Sequence, residues 1–321
     1  MLSPVIDTDS VQFGERFTLR FERTIRVPDD GRTYPLPPGL GRFAVHRVDE
    51  YRHRVPAPWR DRGGIFIAMH QAEALWLSFD AAPWKPSAVT VGVGRVNALS
   101  GGAWPGTLDR SPQNYLVCPP QLWLDGINAG REFVRQFVAM PLGRGATVEG
   151  QITGVETHGG LQVRVYDPRP GRFPDVPPAE WREPRRAPPS QASATGGAMG
   201  FVPGGQIDQK VLVDPYGIDT WDPERFGTLV VHVLNSAQYA AVTGRAAPPS
   251  PVSARTYAEH GFPWFRRYEE AADIPPAEAL AQLTSLSSLL EGEGRDPVDV
   301  QPSTIVDLTE KVSPPRSSER S

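Results

Sequence analysis

Gly159-Gly160-Leu161-Gln162-Val163-Arg164-Val165-Tyr166 decides the fold class. Leu161, Val163 and Val165 alternate with Gln162, Arg164 and Tyr166, the period-two spacing of a strand with one buried face. The glycine pair before it supplies the positive φ that a tight hairpin turn demands. Working outward, Phe133 to Met140 reads as a longer strand, Gly143-Arg144-Gly145 as a turn, and Thr147 to Thr153 as the return strand. Upstream, Val89, Val91 and Val93 alternate with Thr90 and Gly92, and Phe17, Leu19 and Phe21 with Thr18, Arg20 and Glu22. Short strands at this spacing over residues 11–166 predict a mainly β protein. The expected form is an antiparallel β-sandwich or jelly roll, with a β-barrel as the alternative that the period does not separate.

Residues 167–204 change character. Eight prolines between Pro168 and Pro189, then the small polar run Ser190 to Gly200, predict a linker or loop. Residues 205–290 read as a mixed α/β segment that docks on the β block. Gln209 to Val213 and Thr228 to Leu234 are its expected strands. Short helices are expected over Ser236 to Thr243, from Ser250-Pro251 to Gly261, and from Pro276 to Leu290, where Leu280, Leu283, Leu286 and Leu290 form a stripe. Residues 291–321 are polar and charged, which predicts a disordered tail.

The chain has 321 residues and a net charge of −4. At about 150 residues per domain this implies roughly two domains, with ample material for a core. There is no cationic block of the kind a nucleic-acid binder presents, so no nucleic acid is expected as partner. Lysine occurs only at Lys85, Lys210 and Lys311, a coding bias of GC-rich, actinobacterial type that says nothing about mechanism. Cys118 stands alone, which excludes an internal disulfide framework. Met1-Leu2-Ser3-Pro4-Val5-Ile6-Asp7 lacks the features of a secretory signal, and no run approaches the roughly 18 apolar residues of a spanning helix. A soluble, cytoplasmic protein with no membrane span is the expectation.

The densest candidate site is Asp214-Pro215-Tyr216-Gly217-Ile218-Asp219-Thr220-Trp221-Asp222-Pro223-Glu224, whose prolines and glycine imply a loop. Asp214, Tyr216, Asp219, Trp221 and Asp222 are its candidate ligand residues. Clustered oxygens suit Ca²⁺, and carboxylates beside rings suit a sugar that stacks its C–H face on them. The spacing departs from the calcium-loop pattern, so no metal is assigned. The plain structural alternative is that Asp214 and Asp222 cap turns while Trp221 plugs the sheet. Asp125, within Leu122-Trp123-Leu124-Asp125-Gly126, reads as a hairpin-turn residue or as an acid at a strand end. Trp104, in the Gly/Pro-containing loop Ser100 to Asn114, either meets a ligand or folds back over the sheet. None of the six histidines makes a zinc pairing, and His232 reads as a core residue. Gly92-Val93-Gly94-Arg95-Val96-Asn97 lacks the third glycine of a dinucleotide fingerprint, and no motif implies a cofactor. In the tail, Ile305-Val306-Asp307-Leu308-Thr309 is an apolar island that resembles a docking strand for a partner's sheet.

Three blocks carry a family resemblance: Arg135 to Gly143 with Thr147-Val148-Glu149; Asp214-Pro215-Tyr216-Gly217 with Trp221-Asp222; and Gly261-Phe262-Pro263-Trp264-Phe265 with Tyr268. They resemble a family of bacterial and fungal proteins with no assigned activity, over most of residues 12–275. The resemblance implies no catalytic residue. The expectation for function is a non-enzymatic binding or structural module that contacts a carbohydrate or protein through its loops. The alternative is a hydrolase or lyase using Asp125, Asp214, Asp219 and Asp222 as acid and base.

Overall fold

A computed structural model describes residues 2–176, 178, 198–246, 248–267, 271–290 and 294–308. The protein is mainly β, and its strands form two layers. In the first layer the strand Phe17–Thr24 lies between Ser10–Phe13 and Ala74–Ala81; Phe133–Pro141 and then Ala198–Asp208 follow, all antiparallel. The second runs Ile65–Met69, Trp221–Asn235, Leu161–Pro168, Ser87–Val93 and Leu116–Cys118, with only the Ile65–Met69 pairing parallel. The layers belong to one hydrogen-bonded sheet that turns a corner where Ala198 pairs with Leu234 and Met199 with Val233. The sheet does not close into a barrel.

Alternation explains the core. Leu19, Phe21, Leu75, Leu77 and Phe137 of the first layer meet Val89, Val91, Val163, Val165, Leu229 and Val231 of the second in one buried cluster. The long strand Phe133–Pro141 puts both Val134 and Phe137 in that cluster, and beside it the partner strand bulges: Arg135 and Phe137 face Gln206 and Pro203, so the extra residue belongs to Ala198–Asp208. Gln136, opposite this bulge, is fully buried. Its amide accepts from Val27 N (3.0 Å) and donates to Ile25 O (2.9 Å), closing a stretch of backbone that has no strand partner there.

Several expectations need correction. Thr147 to Thr153 is not a return strand: Val148–Thr153 is a helix, with the Thr147 hydroxyl accepting from Gly150 N and Gly154 ending it at φ 78. Val148 and Ile152 are spaced i, i+4, which suits a helix face as well as a strand. The linker does not extend to 204, because Ala198–Asp208 is a central strand. Its Pro203 falls at the bulge, where a ladder N–H is dispensable. The rest of that segment, residue 177 and residues 179–197, lies outside the described residues. Residues 205–290 do not dock from outside either, since Trp221–Asn235 is threaded between two strands of the second layer. Gln209 to Val213 is not a strand; glutamine side chains hold it, with Gln121 Oε1 accepting from Leu212 N (2.9 Å).

The helices are short, and the later ones lie near the C-terminus as expected. Tyr239–Thr243 ends at Gly244 (φ 70), but the Asn235 and Ser236 side chains do not cap it. Ala254–Glu259 is capped by Ser253, not opened by Pro251. The stretch after Pro276 makes two single turns, Glu278–Ala281 and Leu286–Leu289. No helix among the described residues is long and apolar enough to cross a membrane. The tail is placed over 294–308, where Val298 is buried and Ile305–Asp307 pairs with Trp264–Arg266. Residues 309–321 lie outside the described residues.

Replacing Gln136 with Leu keeps the volume but leaves two buried backbone groups without partners. The expected loss is about 2–4 kcal/mol in urea unfolding, with an unchanged denaturant slope.

Candidate functional site

Most sequence candidates are structural. Asp214 is buried and accepts from Tyr115 Oη (2.6 Å), Trp221 Nε1 (3.0 Å) and Tyr216 N (2.8 Å), while its own N–H donates to Gln113 Oε1 (2.9 Å). Burial, then the hydrogen bond to Asp214, holds the Tyr115 hydroxyl far above its ordinary pKa. Trp221 plugs the outer face of the second layer beside Tyr115 and Tyr166. The 214–224 stretch is therefore no open loop: a single 3-10 turn, Ile218–Thr220, leads directly into a strand at Trp221. Asp219 is exposed, and Asp222 Oδ1 accepts from Glu224 N (3.0 Å) as a turn cap. Tyr216 is 43% exposed, its ring edge-on to Phe173 and Trp221. Trp104 folds back on the sheet: a Cβ at Gly92 would lie 2.7 Å from its Cγ, and its Nε1 donates to Thr90 Oγ1 (3.1 Å).

Asp125 is different. The antiparallel register Trp123↔Ser78, Leu124↔Leu77 ends one residue before Asp125, which lines one cleft with Trp76. Leu75 and Leu77 point into the core, so Trp76 stands on the outer face of the first layer. Asp125 is not at a hairpin turn. Its backbone N–H donates to Gln209 Oε1 (2.9 Å) and its carbonyl accepts from Phe137 N (3.0 Å). Both main-chain groups are thereby satisfied, and the buried residue lines a cleft.

That cleft, about 230 Å³, has Leu36, Pro37, Pro38 and Gly39 on one side and Phe265 and Leu308 on the other; Trp76, Trp123 and Asp125 complete its lining. Leu36 and Phe265 exchange backbone hydrogen bonds of 2.8 and 2.9 Å, which ties the two sides together. A more polar cleft of about 200 Å³, lined by Gln121, Glu132, Asp208, Lys210 and Arg266, shares Leu36 and Trp123 with it. The Arg267 guanidinium lies 4.9 Å from the centre of the Trp123 ring. Each cleft is below the ~300 Å³ usual for a small-molecule site, a size that suits a single small ring.

Two residues of the apolar cleft each carry a buried polar atom without a hydrogen-bond partner: Asp125 Oδ2 and Trp76 Nε1. Buried polar groups are nearly always hydrogen-bonded, and an orphan costs roughly 1–3 kcal/mol, so an unpaired acceptor and an unpaired donor on the lining residues of one cleft make it the candidate site. Burial pushes the Asp125 carboxyl up to about 7, against a smaller lowering by a hydrogen bond from the Trp123 side chain, which leaves Oδ2 as the unpaired oxygen. None of Asp214, Asp219 and Asp222 lines this cleft, so the four acids of the hydrolase alternative do not converge there. Among the described residues no three His, Cys, Asp or Glu side chains gather as a metal set.

Sequence reading missed Trp76, Trp123 and Phe265 as site residues. A signal did exist for Trp76: it is a large ring on the outward phase of a strand whose neighbouring phase is all core. No protein-family model, curated protein or solved structure matches the chain. The site is accordingly read from its own geometry.

A carboxyl raised in the folded state keeps a proton that the unfolded chain has already lost. Its effect is nil below the unfolded value near 4, and stability then falls as pH rises, until the carboxyl ionises near 7. The full cost above that is up to about 4 kcal/mol. Asp125→Asn is expected to match the native chain at pH 4 and to exceed it at pH 8, as read by urea unfolding at both.

Proposed function

We propose that the protein is a non-catalytic binding module whose Trp76–Trp123–Asp125 cleft takes a carbohydrate ring. The observation that carries this is the pair of orphaned atoms on an aromatic lining. A sugar hydroxyl donates and accepts at once, so one ring can satisfy Asp125 Oδ2 and Trp76 Nε1 together. An ammonium group would satisfy only the carboxylate, and an acyl chain neither. The indoles supply flat apolar faces for the ring's C–H surface, and the Trp76 Nε1–H is left to meet a hydroxyl. The hydrolase alternative has less support, because Asp214 is engaged by Tyr115, Trp221 and Tyr216 and stands outside this cleft.

At about −0.3 kcal/mol per non-hydrogen atom, a single hexose of ~12 such atoms binds with about −4 kcal/mol, a dissociation constant near 1 mM. Titration of intrinsic tryptophan fluorescence with glucose, galactose, mannose, N-acetylglucosamine and cellobiose up to tens of millimolar is expected to find at least one saturable response. Trp123→Ala is expected to weaken it at least tenfold, and Tyr216→Ala to leave it unchanged. The opposite pattern would move the site to the 214–224 stretch, and no response to any sugar would end the carbohydrate reading.

A further inference from the structure

Asp125 is the exception among the buried acids of the described residues. Glu22 faces Arg42 at 3.3 Å, Asp167 faces Arg225 at 2.9 Å, Glu149 faces His158 at 2.9 Å, and Glu73 is bonded to Arg23. Asp214 has no basic partner but accepts from three donors. Asp125 is 2% exposed, and only burial and the Trp123 hydrogen bond act on its titration, with no neighbouring charge. Buried charges are normally paired, and an ionised carboxyl left without a counter-ion is strongly unfavourable.

The walls of the cleft bring no positive charge either. Its other lining residues are all uncharged, and Trp76, Trp123 and Phe265 among them are aromatic. The basic side chains nearby, Lys210, Arg266 and Arg267, line the neighbouring polar cleft instead. Aromatic faces attract cations, and Trp123 already carries one, the Arg267 guanidinium 4.9 Å from its ring centre. An acid without a counter-ion, set among rings, suits a positive group that arrives with the ligand.

We infer that the sugar taken by the Trp76–Trp123–Asp125 cleft is an amino sugar, its ammonium pairing with the Asp125 carboxylate and a ring hydroxyl accepting from Trp76 Nε1. The inference rests on the carbohydrate reading and narrows it. A neutral sugar leaves the carboxylate's charge uncompensated, and an acidic sugar meets repulsion. Burial keeps the Asp125 proton in place up to about pH 7, and an ammonium beside the carboxyl favours its ionised form.

Tryptophan-fluorescence titrations of the full chain at pH 7 with glucosamine, glucose and N-acetylglucosamine test this. An amine of about the basicity of an α-amino group, near ~8, is mostly charged at that pH. A hydrogen bond to a charged group is worth roughly tenfold in affinity or more. Glucosamine is therefore expected to bind about tenfold more tightly than glucose, and N-acetylglucosamine, which has lost the charge, no more tightly than glucose. Asp125→Asn keeps the volume and an acceptor oxygen without the charge, and is expected to bind glucosamine and glucose alike. Glucosamine binding no tighter than either neutral sugar overturns the amino-sugar inference and leaves the carbohydrate reading standing. A glucosamine preference that survives in Asp125→Asn does the same. No response to any sugar, glucosamine included, overturns the carbohydrate reading and this inference with it.

Discussion

The corner where Ala198 and Met199 pair with Leu234 and Val233 is the constraint on which the rest of the molecule depends. Leu161–Pro168 follows the same edge of Trp221–Asn235 as far as Val231, and Ala198–Asp208 takes over from there. Gly160 sits in the handover, at φ 58, donating to Met199 O (3.1 Å) and accepting from Gly94 N (3.1 Å). A Cβ there would come within 2.1 Å of Val231 O, so only glycine lets the strands approach. Because backbone groups are satisfied through the turn, one sheet folds over onto itself and seals its own inner faces.

A second theme is the use of side-chain amides and carboxylates as substitutes for strand partners. Gln136 holds residues 25–27, Gln113 and Gln121 hold residues 212–214, and Gln209 holds Asp125. Glu149 and Glu156 do the same on either side of the short helix: Glu149 accepts from the N–H groups of Thr157, His158 and Gly159, and Glu156 from those of Gly143, Arg144, Gly145 and Thr147. For both, burial would raise the pKa, but this array of donors outweighs it and the net shift is downward. Against carboxylates so thoroughly engaged, Asp125 stands out, with its shift upward and one oxygen unpaired.

The cleft follows from the core. Once Leu75 and Leu77 are committed inward, Trp76 has only the outer face, and Asp125, next after the Trp123–Leu124 strand, lines the same cleft. Proline-rich residues 36–38 and the Trp264–Arg266 strand then wall off what would otherwise be an open sheet surface. Much of the site is thus carried on strands whose positions the core already holds, while Leu308 comes from the tail.

The strands around Leu19, Val91, Val163 and Val231 were legible, because alternation of side chains is a local property of an extended chain. Val148–Thr153 was not, since a six-residue segment with apolar residues four apart satisfies either period. The strand at Ala198–Asp208 was hidden by glycine and proline that its bulge and close contacts require. At the site, Asp125 was visible as an acid, but its neighbours Trp76, Phe265 and Leu308 are far from it in the chain. By itself the sequence determined which residues extend and which of their faces turn inward. Strand order and register are long-range, so only the tertiary structure decided which outward faces meet, and with them where a ligand has something to touch.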